Sequence, residues 1–287
     1  MELLDQHRPL VQDLKQLAAS LGLELGWHYL LDLTWIITGL RQHLGTLQGK
    51  SIMDAGAGTG ILQWYLAQQG AQVVSVDRLS RAALPLRFRK RFRVEGLRPA
   101  DLLPADQTIR ANLSQRGWAL PALASQAKDW LSSQQPTAPV SGQVILYNQD
   151  LAHLSDLADQ SLDAVVAVSS LEHNTPEGLQ QVVAEIHGVL KPGGALLASL
   201  VAARDQDTWH APSSAWCYTD ASLRRIFGLP ANAPSNYEDY DKLFAALRDC
   251  AELRENLASF YFKSDQNGMP WGKWDPQYQP VGVYKTL

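Results

Sequence analysis

Apolar positions along the chain switch between two periods, and the switches mark an alternation of helices and strands. Leu3, Leu4, Leu10, Val11, Leu14, Leu17 and Leu21 recur at helical spacing, and Leu31, Trp35, Ile36 and Leu40 repeat the pattern, so two amphipathic helices are expected first. Residues 51–53 then form a short strand leading into Asp54, after which Gly56, Gly58 and Gly60 alternate with small residues in a stretch able to turn tightly. Helical spacing returns with Ile61, Leu62, Tyr65 and Leu66 until Gly70 stops it, and Val73, Val74 and Val76 make a second strand closed by Asp77. Residues 144–147 and 162–170 read as further strands, the latter apolar enough to be buried on both faces. Thr175 and Pro176 open a helix packed through Val182, Val183, Ile186 and Leu190. Lys191, Pro192, Gly193 and Gly194 are expected as a type II turn into a strand over 195–201. Later the pattern loosens: a loop holding Trp209, His210, Trp216 and Tyr218, helices over 219–227 and 240–250, and two strands expected at 257–262 and 281–287.

A strand, a glycine turn onto a helix N-terminus and an acid about 20 residues further on is the nucleoside-binding arrangement of doubly wound sheets. Asp77, at the tip of the second strand, can accept hydrogen bonds from ribose hydroxyls. A dinucleotide fingerprint counted from Gly56 requires glycine or alanine at position 61, which is Ile61. The pattern is instead D-x-G-x-G-x-G from Asp54. It resembles motif I of the class I S-adenosylmethionine-dependent methyltransferases, in their small-molecule, type 11-like branch, and the resemblance runs from about residue 50 to about 201 with one insertion. The strand at 162–170, followed by Leu171, Glu172 and His173, and the helix, K-P-G-G turn and strand that come next, are similar to later motifs of the same family.

The resemblance implies an α/β fold: a Rossmann-like, doubly wound, seven-stranded sheet with an antiparallel last strand, a helical N-terminal extension over 1–46, a cofactor-binding core over 47–203 and a substrate-side region with a closing strand pair over 204–287. The insertion, about 84–141, follows the second strand, with helices expected between 109 and 131 and a Ser/Gln/Pro linker after them. The implied cofactor is S-adenosyl-L-methionine, with S-adenosyl-L-homocysteine as product. Its expected contacts are Asp54, Ala55, Gly56, Gly58 and Gly60 in the glycine turn, Asp77 and Arg78 at the ribose, Asp150 and Leu151 at the adenine, and Ser169 beside the methyl group. Asp150 also reads as a cap for the turn that follows. Because the sulfonium methyl is already activated, alignment of the acceptor is the main task. Where the acceptor needs a base, His173 is the first candidate and His210 the second. Tyr29, with Trp27 and His28, is expected to line the acceptor pocket with Glu172, Trp209, Trp216 and Tyr218. The competing reading docks these rings on the core.

At 287 residues, 46% hydrophobic and 19% charged, the chain can bury one substantial core plus an appended region. A net charge of -4 and a pI near 6.0 speak against a domain whose overall charge is built for nucleic acid. Locally, though, Arg78, Arg81, Arg87, Arg89, Lys90, Arg91, Arg93 and Arg98, interleaved with Phe88 and Phe92, form a basic run suited to an anionic ligand or RNA, or to a solvated face. Two distant cysteines, Cys217 and Cys250, indicate neither a disulfide framework nor a metal site and suit the cytoplasm. Glu2 and Asp5 replace the basic start of a secretory signal, and the most apolar run, 29–40, is interrupted by Asp32 and too short to span a bilayer. After the 162–170 strand, Ser169, Ser170, Leu171 and Glu172 stand where the amino-methylating nucleic-acid enzymes carry D/N-P-P-Y/F, and neither cysteine lies there as cytosine C5 methylation requires. The expected acceptor is therefore a small molecule, aromatic, lipid-like or anionic. An RNA-modifying enzyme and a cofactor-binding regulator without turnover are the alternatives.

Overall fold

The computed structural model describes residues 2–116, 140–262, 269 and 273–287. Of the helices expected between 109 and 131, residues 109–116 lie in the helix Ala105–Arg116, and the remainder, with the linker as far as 139, lies outside the described residues. Two compact units emerge, Thr46–Leu151 on the one hand and Met1–Gly45 with Ala152–Leu287 on the other.

In the unit Thr46–Leu151 four parallel strands lie in the order β3 (Arg93–Gly96), β4 (Gln143–Tyr147), β2 (Gln72–Val76) and β1 (Ser51–Ala55). Valines and isoleucine make β1, β2 and β4 because β-branched side chains pack well on a pleated surface covered on both faces. The connecting helix Leu62–Gln68 buries every residue from Leu62 to Ala67. Its Trp64 stacks on Phe88 at 4.7 Å and meets Phe92 at 5.0 Å, and all three rings are buried. The aromatic residues interleaved with the basic run are thus core, not a stacking platform for a ligand. β3, unanticipated, hides behind its alternation of Arg93, Val94, Glu95 and Gly96. Such charge on a strand suits an exposed sheet edge.

In the other unit β6 (Leu190–Ala202) is central: it pairs in parallel with β5 (Leu162–Val168) and β8 (Ala215–Tyr218), and antiparallel with β9 (Gln279–Thr286). β8 in turn pairs antiparallel with β7 (Thr208–His210), so the expected loop at 209–218 is a short hairpin. The helix Tyr29–Leu44 packs on β5 and β6. It comes in closely at Gly39, where a Cβ would stand 2.5 Å from the Leu197 methyl. Thr175 caps the helix Pro176–Val189 by accepting the Gly178 N–H at 3.1 Å, as its sequence predicts.

Among the described residues there are nine strands instead of seven, and the α/β, Rossmann-like class holds. Two differences have local causes. The K-P-G-G segment is an irregularity inside one long strand, with Gly193 at φ 78, because Leu190 already pairs with Leu162 before the register shifts. The expected strand at 257–262 is a 3-10 turn, Ser259–Phe262, whose Tyr261 is buried and accepts the Trp27 N–H through its hydroxyl at 3.1 Å. Its apolar run serves the N-terminal segment, and β9 is the described tail strand that pairs with β6. No helix among the described residues is long and apolar enough to cross a membrane.

Candidate functional site

The glycine turn lies within the unit Thr46–Leu151, at the C-terminal ends of β1, β2 and β4, where open α/β sheets take their ligands. Gly56 and Ala57 donate to the Val76 carbonyl at 2.9 and 3.0 Å, folding the turn back over β2. Gly58, at φ 49, donates its N–H to Asp77 Oδ2 at 2.7 Å, and Leu79 N–H reaches Asp77 Oδ1 at 2.8 Å. Among the described residues, a Cβ at Gly58 would meet nothing nearer than that same Asp77 oxygen, at 3.8 Å. The left-handed backbone there favours glycine, and among the described residues no side chain crowds it. Each carboxylate oxygen of Asp77 keeps a second lone pair for a ligand hydroxyl.

What holds this turn is a buried polar frame that the sequence did not reveal. Gln63 donates to the Gly60 and Gly58 carbonyls at 3.0 and 3.3 Å and accepts from Ser75 Oγ at 2.7 Å. Arg81, only 7% exposed, donates to the Gly58 carbonyl at 3.1 Å, the Ser75 carbonyl at 2.7 Å and Ser75 Oγ. Asp54, 3% exposed, is pushed up to about 7 by burial, against the pull of Arg81 and the Gln63 N–H. Arg98, Asp101 and Asn148 form a second brace: Arg98 pairs with Asp101 at 3.0 Å and donates to the Asn148 carbonyl at 2.8 Å, while Asn148 N–H binds Asp101 at 3.0 Å. Arg89 likewise donates to the Leu103 and Ala82 carbonyls. Of the basic run only Arg78, Lys90 and Arg93 are exposed, and Arg93 pairs with Glu95. The run reads as basic in the sequence, yet much of its charge braces the fold. Asp150 is exposed and Leu151 half-buried just past β4, in the same unit as the turn.

The other unit gathers a second group of the expected residues. Ser169 ends β5 at φ 46, unusual for a residue with a side chain; its N–H donates to Ser199 and its hydroxyl donates to Glu172 Oε1. Glu172 is 1% exposed, burial raises its pKa, and Oε2 has no hydrogen-bond partner among the described residues. His173 is exposed and donates through Nδ1 to the Ser214 carbonyl at 2.8 Å, which leaves Nε2 as the bare, basic nitrogen. His210 pairs with Ser213 Oγ at 2.7 Å and lies edge-on to Tyr278 at 5.2 Å; burial lowers its pKa. Trp27, His28 and Tyr278 form one cluster of rings, with Tyr29 against His28 at 5.3 Å. Tyr218 is buried with its hydroxyl on the Asn174 carbonyl, while Trp209, 49% exposed, crosses Trp216 on the hairpin.

The pattern of a methyltransferase domain family matches residues 121–198, which span β4, β5 and the start of β6. That match takes in about a quarter of the chain. A curated relative, the tRNA U34 carboxymethyltransferase of Psychrobacter sp. (strain PRwf-1), is 42% identical over 52 residues, 18% of this chain and 14% of that protein. Among solved structures, the 1,6-didemethyltoxoflavin-N1-methyltransferase of Burkholderia thailandensis is 19% identical, covering 67% of this chain and 63% of that one, with a TM-score of 0.39. The magnesium protoporphyrin IX methyltransferase of Synechocystis PCC 6803 is 19% identical, covering 68% and 63%, with a TM-score of 0.36. The chain thus spans less than two thirds of the length of each. The methyltransferase domain match begins after the glycine turn, so Asp54 to Asp77 must be judged on their own geometry. Sequence reading missed Arg81, Gln63, Asn148 and Tyr278. Only a basic run, a helical glutamine, a strand end and a tail aromatic announced them.

Proposed function

We propose that this protein is an S-adenosylmethionine-dependent methyltransferase acting on a small-molecule acceptor. The observation that carries the reading is the backbone of Gly58, uncrowded among the described residues and held beside the Asp77 carboxylate by a 2.7 Å hydrogen bond. Ala55, Gly56, Gly58 and Gly60 approach the amino-acid end of the cofactor through backbone, Asp77 with Arg78 takes the ribose hydroxyls, and Asp150 and Leu151 flank the adenine. Asp54 acts from below the turn, holding the Gln63 N–H. When bound, the cofactor supplies a methyl group already activated on a sulfonium for in-line displacement. The chain supplies acceptor recognition from Ser169, Glu172, Tyr29 and the 209–218 hairpin, and His173, with Nε2 bare, takes a proton where the acceptor must lose one. His210, its ring nitrogen on Ser213, serves less well.

A small molecule is preferred to RNA because Arg81, Arg89 and Arg98 are committed to backbone carbonyls. The short likeness to a tRNA-modifying enzyme favours the second reading, RNA. Calorimetry with S-adenosylhomocysteine tests the proposal: Asp77→Ala should bind at least about tenfold more weakly, the loss of charged hydrogen bonds to a ligand. Equal affinity in folded wild-type and variant protein would remove the ribose assignment, and tight, salt-sensitive RNA binding would favour the second reading.

A further inference from the structure

Polar atoms walled off from bulk water are almost always hydrogen-bonded, so one left without a partner on the wall of a cavity marks where an incoming donor belongs. Within the unit formed by Met1–Gly45 and Ala152–Leu287 lies a cavity of about 610 Å³, in the size range of small-molecule sites. Trp35, Leu223, Leu243, Leu247, Val281 and Val283 give it largely apolar walls. At Gly282 of β9 a Cβ would stand 2.6 Å from the Trp35 ring, so the indole rests directly on backbone and forms a flat side of the cavity. Neither Glu172, His173 nor the 209–218 hairpin enters its described lining, which sets this space apart from the residues assigned to the acceptor.

The charged side chains in the described lining are Asp32, Asp220 and Arg224. Two of them answer each other: Arg224 donates to Asp220 Oδ2 at 2.7 Å and to the carbonyls of Pro230 and Ala233, and Ser235 donates to the other Asp220 oxygen at 2.9 Å. Asp32 is different. It is only 3% exposed, its Oδ2 is held by His28 Nδ1 at 2.7 Å, and its Oδ1 has no hydrogen-bond partner among the described residues. His28 is itself buried edge-on against the rings of Trp27, Tyr29 and Tyr278, so it anchors the carboxyl group and keeps it from turning away. The nearby phenol of Tyr237 and amide of Gln279 already donate to the carbonyls of Tyr218 and Tyr240, at 2.7 and 3.0 Å. Asp32 Oδ1 therefore calls for a donor from the occupant. A hydroxyl supplies one without carrying a further charge out of water into a hydrocarbon-lined space, as an ammonium would, and an anion finds Arg224 already committed.

We infer that this cavity binds a neutral, hydrocarbon-rich alcohol, its hydroxyl donating to Asp32 Oδ1 and its body lying against Trp35, Leu243 and Val281. Methyl transfer plays no part in this; the site is defined by its own residues. Calorimetry with 1-octanol and its isomer heptyl methyl ether tests it, because the two have the same atoms and differ in the donor, with octanoate and n-octylamine as charged counterparts. Octanol should bind at least about tenfold more tightly than the ether, the worth of one hydrogen bond to a carboxylate, and more tightly than either ion. Asp32→Asn lets the amide oxygen accept from His28 and turns an N–H toward the cavity, so octanol should lose its advantage over the ether. Ala233→Trp, on the loop wall, fills the space and should weaken octanol and ether together. Thermal melting shows whether each variant is folded, and if Asp32→Asn is not, the wild-type ranking and Ala233→Trp decide. Equal octanol and ether affinity in wild type would leave Oδ1 to a water and overturn the proposal. So would no octanol binding up to its solubility, tighter binding of either ion, an octanol advantage that survives Asp32→Asn, or octanol affinity unmoved by Ala233→Trp.

Discussion

Arg81→Met tests whether the glycine turn is held by a buried guanidinium. Methionine keeps the aliphatic bulk and removes every donor. The wild-type side chain, 7% exposed, satisfies the Gly58 carbonyl at 3.1 Å, the Ser75 carbonyl at 2.7 Å and Ser75 Oγ, and its charge offsets that of buried Asp54. Each charged hydrogen bond contributes about 1.5–3 kcal/mol, but they share one side chain and do not add, so the loss should resemble that of one partner of a buried pair, about 3–5 kcal/mol. Urea unfolding followed by tryptophan fluorescence gives the number, since Trp64 is buried against Phe88 in the same unit. A second reading comes from pH. Arg81 holds Asp54 down, so its removal should raise the Asp54 pKa further above 7 and move proton uptake to higher pH. A destabilisation under about 1 kcal/mol, with unchanged proton uptake, would mean that the frame is redundant.

Two further outcomes follow from single side chains. Burial raises Asp54 from 3.8 to about 7, so between those values the folded protein holds a proton that the unfolded chain releases; its stabilising share is full below pH 4 and is lost as pH rises toward 7. Asp54→Asn should flatten the stability curve across that window by on the order of 4 kcal/mol, and parallel urea curves for variant and wild type would refute the assignment. His173→Ala should slow methyl transfer from labelled cofactor to a small-molecule cell extract by about a hundredfold while sparing cofactor affinity, and nitrogen NMR of wild type should find the Nε2 of that ring unprotonated when neutral. An unchanged rate would remove the base.

The glycine turn, its helix and the acid at 77 were legible because backbone conformation and strand ends are encoded locally. Tertiary pairing was not. Arg81 and Arg98 read as part of a run for an anionic ligand or a solvated face because nothing in a linear run says which guanidinium will find carbonyls, and the same run hid Phe88 and Phe92, which pack on Trp64. The tail misled for the same reason: the apolar content at 257–262 is real, but Tyr261 turns it toward Trp27 in place of a sheet partner. Within the proposed acceptor group, Glu172 and His173 were singled out from their place at a strand tip, whereas Tyr278 had no local signal beyond being aromatic.

Ser169 sits where glycine would be at ease. A side chain in the left-handed region costs about 1–2 kcal/mol, and a serine at φ 46 bears that cost in exchange for a single hydroxyl, the one that pins Glu172. The strand tip therefore behaves like a loaded latch. Ser169→Gly would relax the chain yet let the acid swing, a case in which a more comfortable backbone makes a less discriminating protein.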